Sequence, residues 1–166
     1  AYALERAKEA GIPGYVVSRK DYGSAREMTV ALVEKLRALD IGLVVMAGFM
    51  VIITQELVDA YPNRILNIHP SLIPSFCGKG CYGLHVHEKA LQYGVKISGA
   101  TVHFVSEECD AGPIVLQKAV AVEDGDTPES LQQRIMEQAE WVILPQAVAL
   151  FCQGRLKVEG RQVHIL

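Results

Sequence analysis

The sequence has no lysine- or arginine-rich block, and its 16 basic and 19 acidic residues leave a formal net charge of −3. That balance gives no footprint for a polyanion, so nucleic acid is not an expected partner. No apolar run approaches the ~20 residues of a membrane span, and no membrane role is expected. The opening residues do not read as a signal peptide. Cysteines are few: the four, at 77, 81, 109 and 152, show no framework spacing. A chain of 166 residues, half of them hydrophobic, can bury about two-thirds of its unfolded surface and needs no such staples. Reduced thiols and a cytoplasmic setting are the expectation. Repeats, low-complexity tracts and linkers are missing too, which leaves one domain over residues 1–166. The chain also lacks an initiator methionine. It opens on "AYALERAKEAGIPG", where Tyr2, Leu4, Ala7 and Ala10 follow helical spacing and Gly11 is the stop. An α/β domain usually opens on a strand, so the expectation is that an N-terminal segment is absent here.

What is present alternates between two periodicities. "GYVVS" (14–18) reads as a strand. Residues 24–40 read as a helix capped by Ser24, with Leu32, Val33, Leu36 and Leu39 on one side. "IGLVVMAG" (41–48) is a continuous apolar run, the pattern of a strand buried on both faces. A helix is expected between Thr54 and Pro62, then a strand over 64–68. Prolines and glycines make 69–83 a loop, and a helix follows over 85–94. Strands at 96–106 and 112–122 are joined by "EECDA", too short for a parallel crossover, so this pair should be antiparallel. Residues 127–154 are helical, with Thr127 and Ser130 as caps, Pro128 at the first position and Pro145 as a kink. A hairpin around Gly160 closes the chain. The fold class is α/β: an open, mostly parallel twisted sheet with helices on both faces and an antiparallel C-terminal strand pair.

The stretch "ILNIHPSLIPSFCGKGCYGLHVHE" (65–88) concentrates the chemistry. Asn67 and His69 fall at the carboxyl end of a strand, where open α/β sheets bind ligands. Residues two apart in a strand point to one side, so an amide and an imidazole face one crevice. Asp110 lies in the tight connection between the antiparallel strands. An amide and an imidazole can donate to a developing oxyanion, and a carboxylate can orient the imidazole or relay a proton. The bland reading makes Asn67 a turn former, His69 a packed histidine and Asp110 turn chemistry. His103 shares a face with Thr101, either as a core histidine or as support for the site. Cys77, Cys81, His85 and His87 supply enough ligands for tetrahedral zinc, although the cysteine spacing is looser than usual and two histidines two apart on a helix start would not point both rings one way. Lys79 could activate a thiol, but no base is placed beside one. "GKG" (78–80) lacks the frame of a P-loop.

"AGFM", "ILNIHPSLIP", "GLHVHEKAL", "GATVHFV" and "CDAGPIVLQ" stand in an order and spacing that resemble the folate-dependent formyltransferases. The resemblance runs over nearly the whole chain and is closest to the branch that formylates glycinamide ribonucleotide. It implies a one-carbon transferase of purine biosynthesis, a monomer or weak homodimer. The ribonucleotide's amine attacks the formyl carbon of 10-formyltetrahydrofolate, a co-substrate, and no metal takes part. It implies that Asn67 bonds the formyl oxygen, that His69 stabilises or protonates the tetrahedral intermediate, and that Asp110 orients His69 and helps remove the amine proton. It assigns Arg26, Met50, Val51, Ile52, Ile53, Asn67, Ser106, Glu107, Glu108, Cys109 and Asp110 to the folate, and Glu137 and Glu140 to the nucleotide. Thr101 and His103 are the supporting pair. The family's glycine–serine–asparagine turn, which holds the substrate phosphate at a helix start, has no counterpart here. "SFCGKGCYG" resembles a longer loop found in a subset, a mobile cover that leaves Cys77 and Cys81 as bystanders. A deformylase using water, another formyltransferase of this kind, a non-catalytic folate-binding module and a thiol–zinc protein are the rival readings.

Overall fold

Side-chain caps and glycines set several helix ends in the computed structural model, which describes residues 2–49, 51 and 53–166. Helix α1 (Tyr2–Glu9) stops as Gly11 takes a positive φ of 68°. Helix α2 (Ala25–Ala38) starts where the Ser24 hydroxyl accepts the Glu27 N–H at 3.1 Å, satisfying a donor that the helix cannot. Helix α3 (Gln55–Ala60) follows Thr54, and helix α4 (Leu84–Tyr93) ends on left-handed Gly94. Helix α5 (Pro128–Ile135) carries a reciprocal cap between Thr127 and Ser130, with proline at its start. A π-helical turn, Met136–Glu140, then leads into α6 (Trp141–Cys152). The break expected at Pro145 is thus taken up one turn earlier. The π turn closes at Trp141, whose carbonyl Pro145 cannot serve for want of an N–H.

Among the described residues four strands form one sheet in the order β1 (Val44–Met46), β2 (Ile65–His69), β3 (Ile97–Phe104), β4 (Ile114–Ala121). β1 and β2 are parallel; β2–β3 and β3–β4 are antiparallel. The open α/β sheet and the antiparallel β3–β4 pair match expectation, while one of the three pairings is parallel. β5 (Leu156–Glu159) and β6 (Gln162–Ile165) form the expected closing hairpin. Gly160 fills its first loop position at φ 60°, the conformation a two-residue hairpin loop demands there. Two expectations fail. Residues 14–18 form no strand among the described residues, for they find no partner, and Val16 is largely exposed. β1 is not buried on both faces: it pairs only with β2 among the described residues, and Val45 is exposed.

Strand alternation divides the core. Leu66 and Ile68 of β2 join Ala100, Val102 and Phe104 of β3 under α4, α5 and α6, packing on Ala90, Leu131, Ile135, Ile143 and Ala147. On the other face Ile65 and Met46 meet Val33 of α2 and Leu57 and Tyr61 of the α3 segment. Each such large apolar side chain contributes roughly 1.5–3 kcal/mol by leaving water. The free positions on this second face, further along β2, are Asn67 and His69.

An ion-pair clamp ties the end of β4 to α5. Arg134 donates to both carboxylate oxygens of Asp126 at 2.6 and 2.7 Å, and to Glu123 at 3.2 Å. The Arg134 hydrogen bonds hold the Asp126 carboxyl well below its ordinary range, against the effect of burial, with help from Ser130 and the Glu123 N–H. Arg134→Met should lower the unfolding free energy by about 1–3 kcal/mol in urea titrations at pH 7. Because the folded-state pKa of Asp126 is depressed, the difference from the parent is full above the unfolded value of about 4 and shrinks as the pH falls below it.

Candidate active site

The register of β2 on β3 assembles a polar patch on the α2–α3 side of the sheet. Asn67 pairs with His103, and His69 pairs with Thr101. Asn67 Nδ2 lies 3.2 Å from His103 Nε2. His103 Nδ1 lies 2.9 Å from the Phe104 carbonyl, which can only accept, so Nδ1 carries a proton. Nε2 is therefore the ring atom that meets the Asn67 amide, a contact that leaves an amide N–H of Asn67 available. Thr101, fully buried, donates to the Ser71 carbonyl at 2.6 Å and accepts from the Ile73 N–H and the Gln117 amide. That hydroxyl fastens the 70–74 segment to the sheet and so shapes the turn after His69.

Asp110 enters from the β3–β4 connection. Its backbone is left-handed, with φ 55°. Its Oδ2 accepts the Gly78 N–H at 2.9 Å and lies 3.5 Å from His69 Nδ1; its Oδ1 lies 3.7 Å from His103 Nε2. One nearly buried carboxylate therefore touches two imidazoles and a loop amide. Gly112 permits the approach: a Cβ there would sit 1.7 Å from the Phe104 carbonyl oxygen.

Burial pushes the Asp110 carboxyl up. The adjacent His103 imidazole, the nearby His69 and the Gly78 amide outweigh it and bring the pKa down to about 2. Burial is also the largest influence on His69 and lowers it; the Phe76 carbonyl and Asp110 raise it, and the net displacement is downward from 6.5. At neutral pH the pair is an ionised carboxylate beside a neutral imidazole. That imidazole has an acceptor on each side, since Nε2 lies 3.0 Å from the Phe76 carbonyl and Nδ1 faces Asp110. One proton cannot serve both. The site is one proton short, the condition of a group that takes up a proton released in its reaction.

The sequence-derived site residues do not all converge. Asn67, His69, Thr101, His103 and Asp110 come together as expected. Arg26 sits on α2 with its exposed guanidinium on Glu56 at 2.5 Å. Met50 and Ile52 lie outside the described residues; Val51 is exposed, and Ile53 packs against the Leu57 cluster. Ser106 bonds the Glu108 carbonyl, and Glu107, Glu108 and Cys109 are exposed beside Asp110. Glu137 accepts from Gln133 on the helix surface. Glu140, on the π turn, is half-buried, and burial raises its carboxyl. The tetrahedral zinc arrangement is not formed: His85 is exposed on Glu88 at 2.8 Å, whereas His87 is fully buried. Among the described residues no three histidine, cysteine or acidic side chains gather so that they could hold a metal ion. His87 has no hydrogen-bond partner among them, and burial, then His69, lower its pKa to about 4. Sequence reading missed the Phe76 carbonyl and the Gly78 N–H, backbone groups that no residue type announces.

A free amide, a neutral imidazole and a buried carboxylate at the end of a sheet strand are groups that acyl-type transfer can use. The formyl transferase family profile matches residues 1–148, and the chain belongs to that family. The chain is 39% identical over 165 residues to phosphoribosylglycinamide formyltransferase of Haemophilus influenzae, covering 99% of this chain and 75% of that protein. Against the trifunctional purine biosynthetic protein adenosine-3 of Gallus gallus it is 43% identical over 155 residues, 93% of this chain but 15% of that much longer protein. The crystal structure of glycinamide ribonucleotide transformylase 1 from Symbiobacterium toebii superposes with a TM-score of 0.93 at 46% identity, covering 100% of this chain and 76% of that one.

Two measurements test the geometry. Histidine NMR titration should find His69 ionising below 6.5. In Asp110→Asn its pKa should move further down, because a charge that favours the imidazolium is gone. Gly112→Ala should force the connection away from β3, costing about 1–3 kcal/mol in denaturant titrations and displacing Asp110.

Proposed function

We propose that the chain transfers the formyl group of 10-formyltetrahydrofolate to the amine of glycinamide ribonucleotide, giving N-formylglycinamide ribonucleotide and tetrahydrofolate. The setting is purine biosynthesis in the cytoplasm. The observation that carries the reading is the proton-short His69–Asp110 pair beside the free amide proton of Asn67. The relatives' names supply the ribonucleotide acceptor, and the family supplies the folate donor.

The amine brings its own nucleophile, so no serine or cysteine is needed. As it attacks the formyl carbon, negative charge grows on the formyl oxygen. Asn67 donates to that oxygen, its amide being held by His103. The attacking nitrogen becomes cationic and must shed a proton. His69 takes it, because its imidazolium satisfies Phe76 on one side and Asp110 on the other. The same imidazolium then returns a proton to the departing folate nitrogen. His103 keeps Asn67 in place, and Thr101 holds the turn beneath it. By resemblance, the folate falls to residues 50–53, to the 106–110 loop and to Arg26. Glu137 and Glu140 meet the ribonucleotide; desolvated Glu140 gains most from a cationic or hydroxyl partner.

The test is a spectrophotometric formyl-transfer assay with and without glycinamide ribonucleotide. Turnover should require the ribonucleotide. Asn67→Ala should lower kcat by about 10²- to 10³-fold, the loss of one oxyanion donor. Undiminished turnover in Asn67→Ala or Asp110→Asn would refute the roles, and hydrolysis without ribonucleotide would make the chain a deformylase.

A further inference from the structure

The loop that holds His69 and Asp110 in place also carries two of the four thiols, and the formyl-transfer chemistry uses neither. Phe76 supplies the carbonyl on His69 and Gly78 the N–H on Asp110. Cys77 lies between them in sequence. The Cys81 N–H returns to the Gly78 carbonyl at 3.0 Å, a turn that folds Cys81 back towards Cys77. Gly78 and Gly80 both take positive φ near 80°, so the turn relies on glycine freedom.

The two thiols have different surroundings. Cys77 donates to the Pro74 carbonyl at 3.2 Å, and burial, with Asp110 and Cys81, pushes its pKa up. Cys109 is likewise pushed up by burial and by Asp110. Cys81 is half-buried, and Lys89 Nζ stands 3.2 Å from its sulfur. The same ammonium is anchored on the Gly80 carbonyl at 3.0 Å, so the cation is fixed where the sulfur is. The thiolate is the nucleophilic form of cysteine, and a fixed ammonium is its natural hydrogen-bond partner.

We propose that Cys81 is a peroxide-reactive thiol, resolved by Cys77 into a disulfide that reversibly latches the loop bearing the Phe76 and Gly78 contacts. In the first step the Cys81 sulfur attacks one oxygen of a hydroperoxide. The S–O bond forms, the O–O bond breaks, and the leaving oxygen departs with a proton as water or alcohol. Sulfur is oxidised to the sulfenic acid, and the peroxide is reduced. In the second step the Cys77 sulfur attacks that sulfur. The S–S bond forms and the S–O bond breaks, with hydroxide leaving to take the Cys77 proton as water. Bridging residues 77 and 81 refolds the turn between them, and Gly78, which bonds Asp110, lies inside the bridge. The effect on catalysis rests on the formyl-transfer reading; the thiol chemistry does not.

The test starts from the fully reduced chain. Timed iodoacetamide labelling, read by peptide mass spectrometry, should modify Cys81 about 10-fold faster than exposed Cys152. Lys89→Met should remove that advantage. Hydrogen peroxide should give a mapped Cys77–Cys81 disulfide and a fall in formyl transfer that dithiothreitol reverses. Cys77→Ser should stop at a sulfenic acid trapped by dimedone. Equal labelling of Cys81 and Cys152, a disulfide mapped to another pair, or full activity with the disulfide formed would each overturn the proposal. If no formyl transfer is seen even when reduced, the functional reading fails while the labelling and mapping still decide the thiol chemistry.

Discussion

The antiparallel register of β2 on β3 is the constraint on which the rest depends. It sets Asn67 opposite His103 and His69 opposite Thr101, all on the face that α2 and α3 cover only in part. A slip of one residue would turn Leu66 and Ile68 into the site and the polar residues into the main core. The apolar face thus enforces the register, since Leu66, Ile68, Val102 and Phe104 are all buried on the opposite side. Catalytic geometry here is the reverse side of core packing. The hydrophobic free energy that builds the sheet also sets the spacing of the amide and the imidazole.

On that frame Asp110 acts as the electrostatic keystone. It has to come back over the end of β3, and Gly112 is what lets the backbone pass close to the Phe104 carbonyl. Its burial alone would favour the neutral acid. Two histidines and one loop amide reverse the outcome. For His69 the balance goes the other way, with burial outweighing the carbonyl and the carboxylate that favour its charged form. The opposing results leave one anion and one neutral base in contact. The pair resists a proton at rest and has both hydrogen-bond acceptors ready for one during reaction.

The loop from Pro70 to Gly83 is the third layer of the design. It is bound to the sheet through Thr101 and Gln117, to His69 through Phe76 and to Asp110 through Gly78. Its second half has few such ties and rests on glycines and on the Lys89 ammonium. Chemistry in this half is therefore placed to act on the site without touching substrate.

Legibility in the sequence followed the range of the interaction. Asn67 and His69 were readable because strand parity is local, and the β3–β4 pair because its connection is too short for any other path. Ser24, Thr127, Gly94 and Gly160 were readable because caps and tight turns are settled within four residues. The strand expected at 14–18 and the double burial expected for β1 failed because both depend on a neighbour, and a run of valines does not say who lies beside it. At Cys77, Cys81, His85 and His87 the sequence offers enough ligands for zinc but argues against it, since histidines two apart on a helix diverge, and α4 does turn His85 outward and His87 inward. By itself, then, the sequence determined the order of the main helices and of β1 to β6, the facing pair on β2 and the residue types available for acyl transfer. Only the tertiary structure decided that Asp110 reaches both histidines, that Phe76 and Gly78 complete their shells and which thiol meets a cation. Those contacts join residues far apart in the chain, through backbone groups that every residue type carries alike.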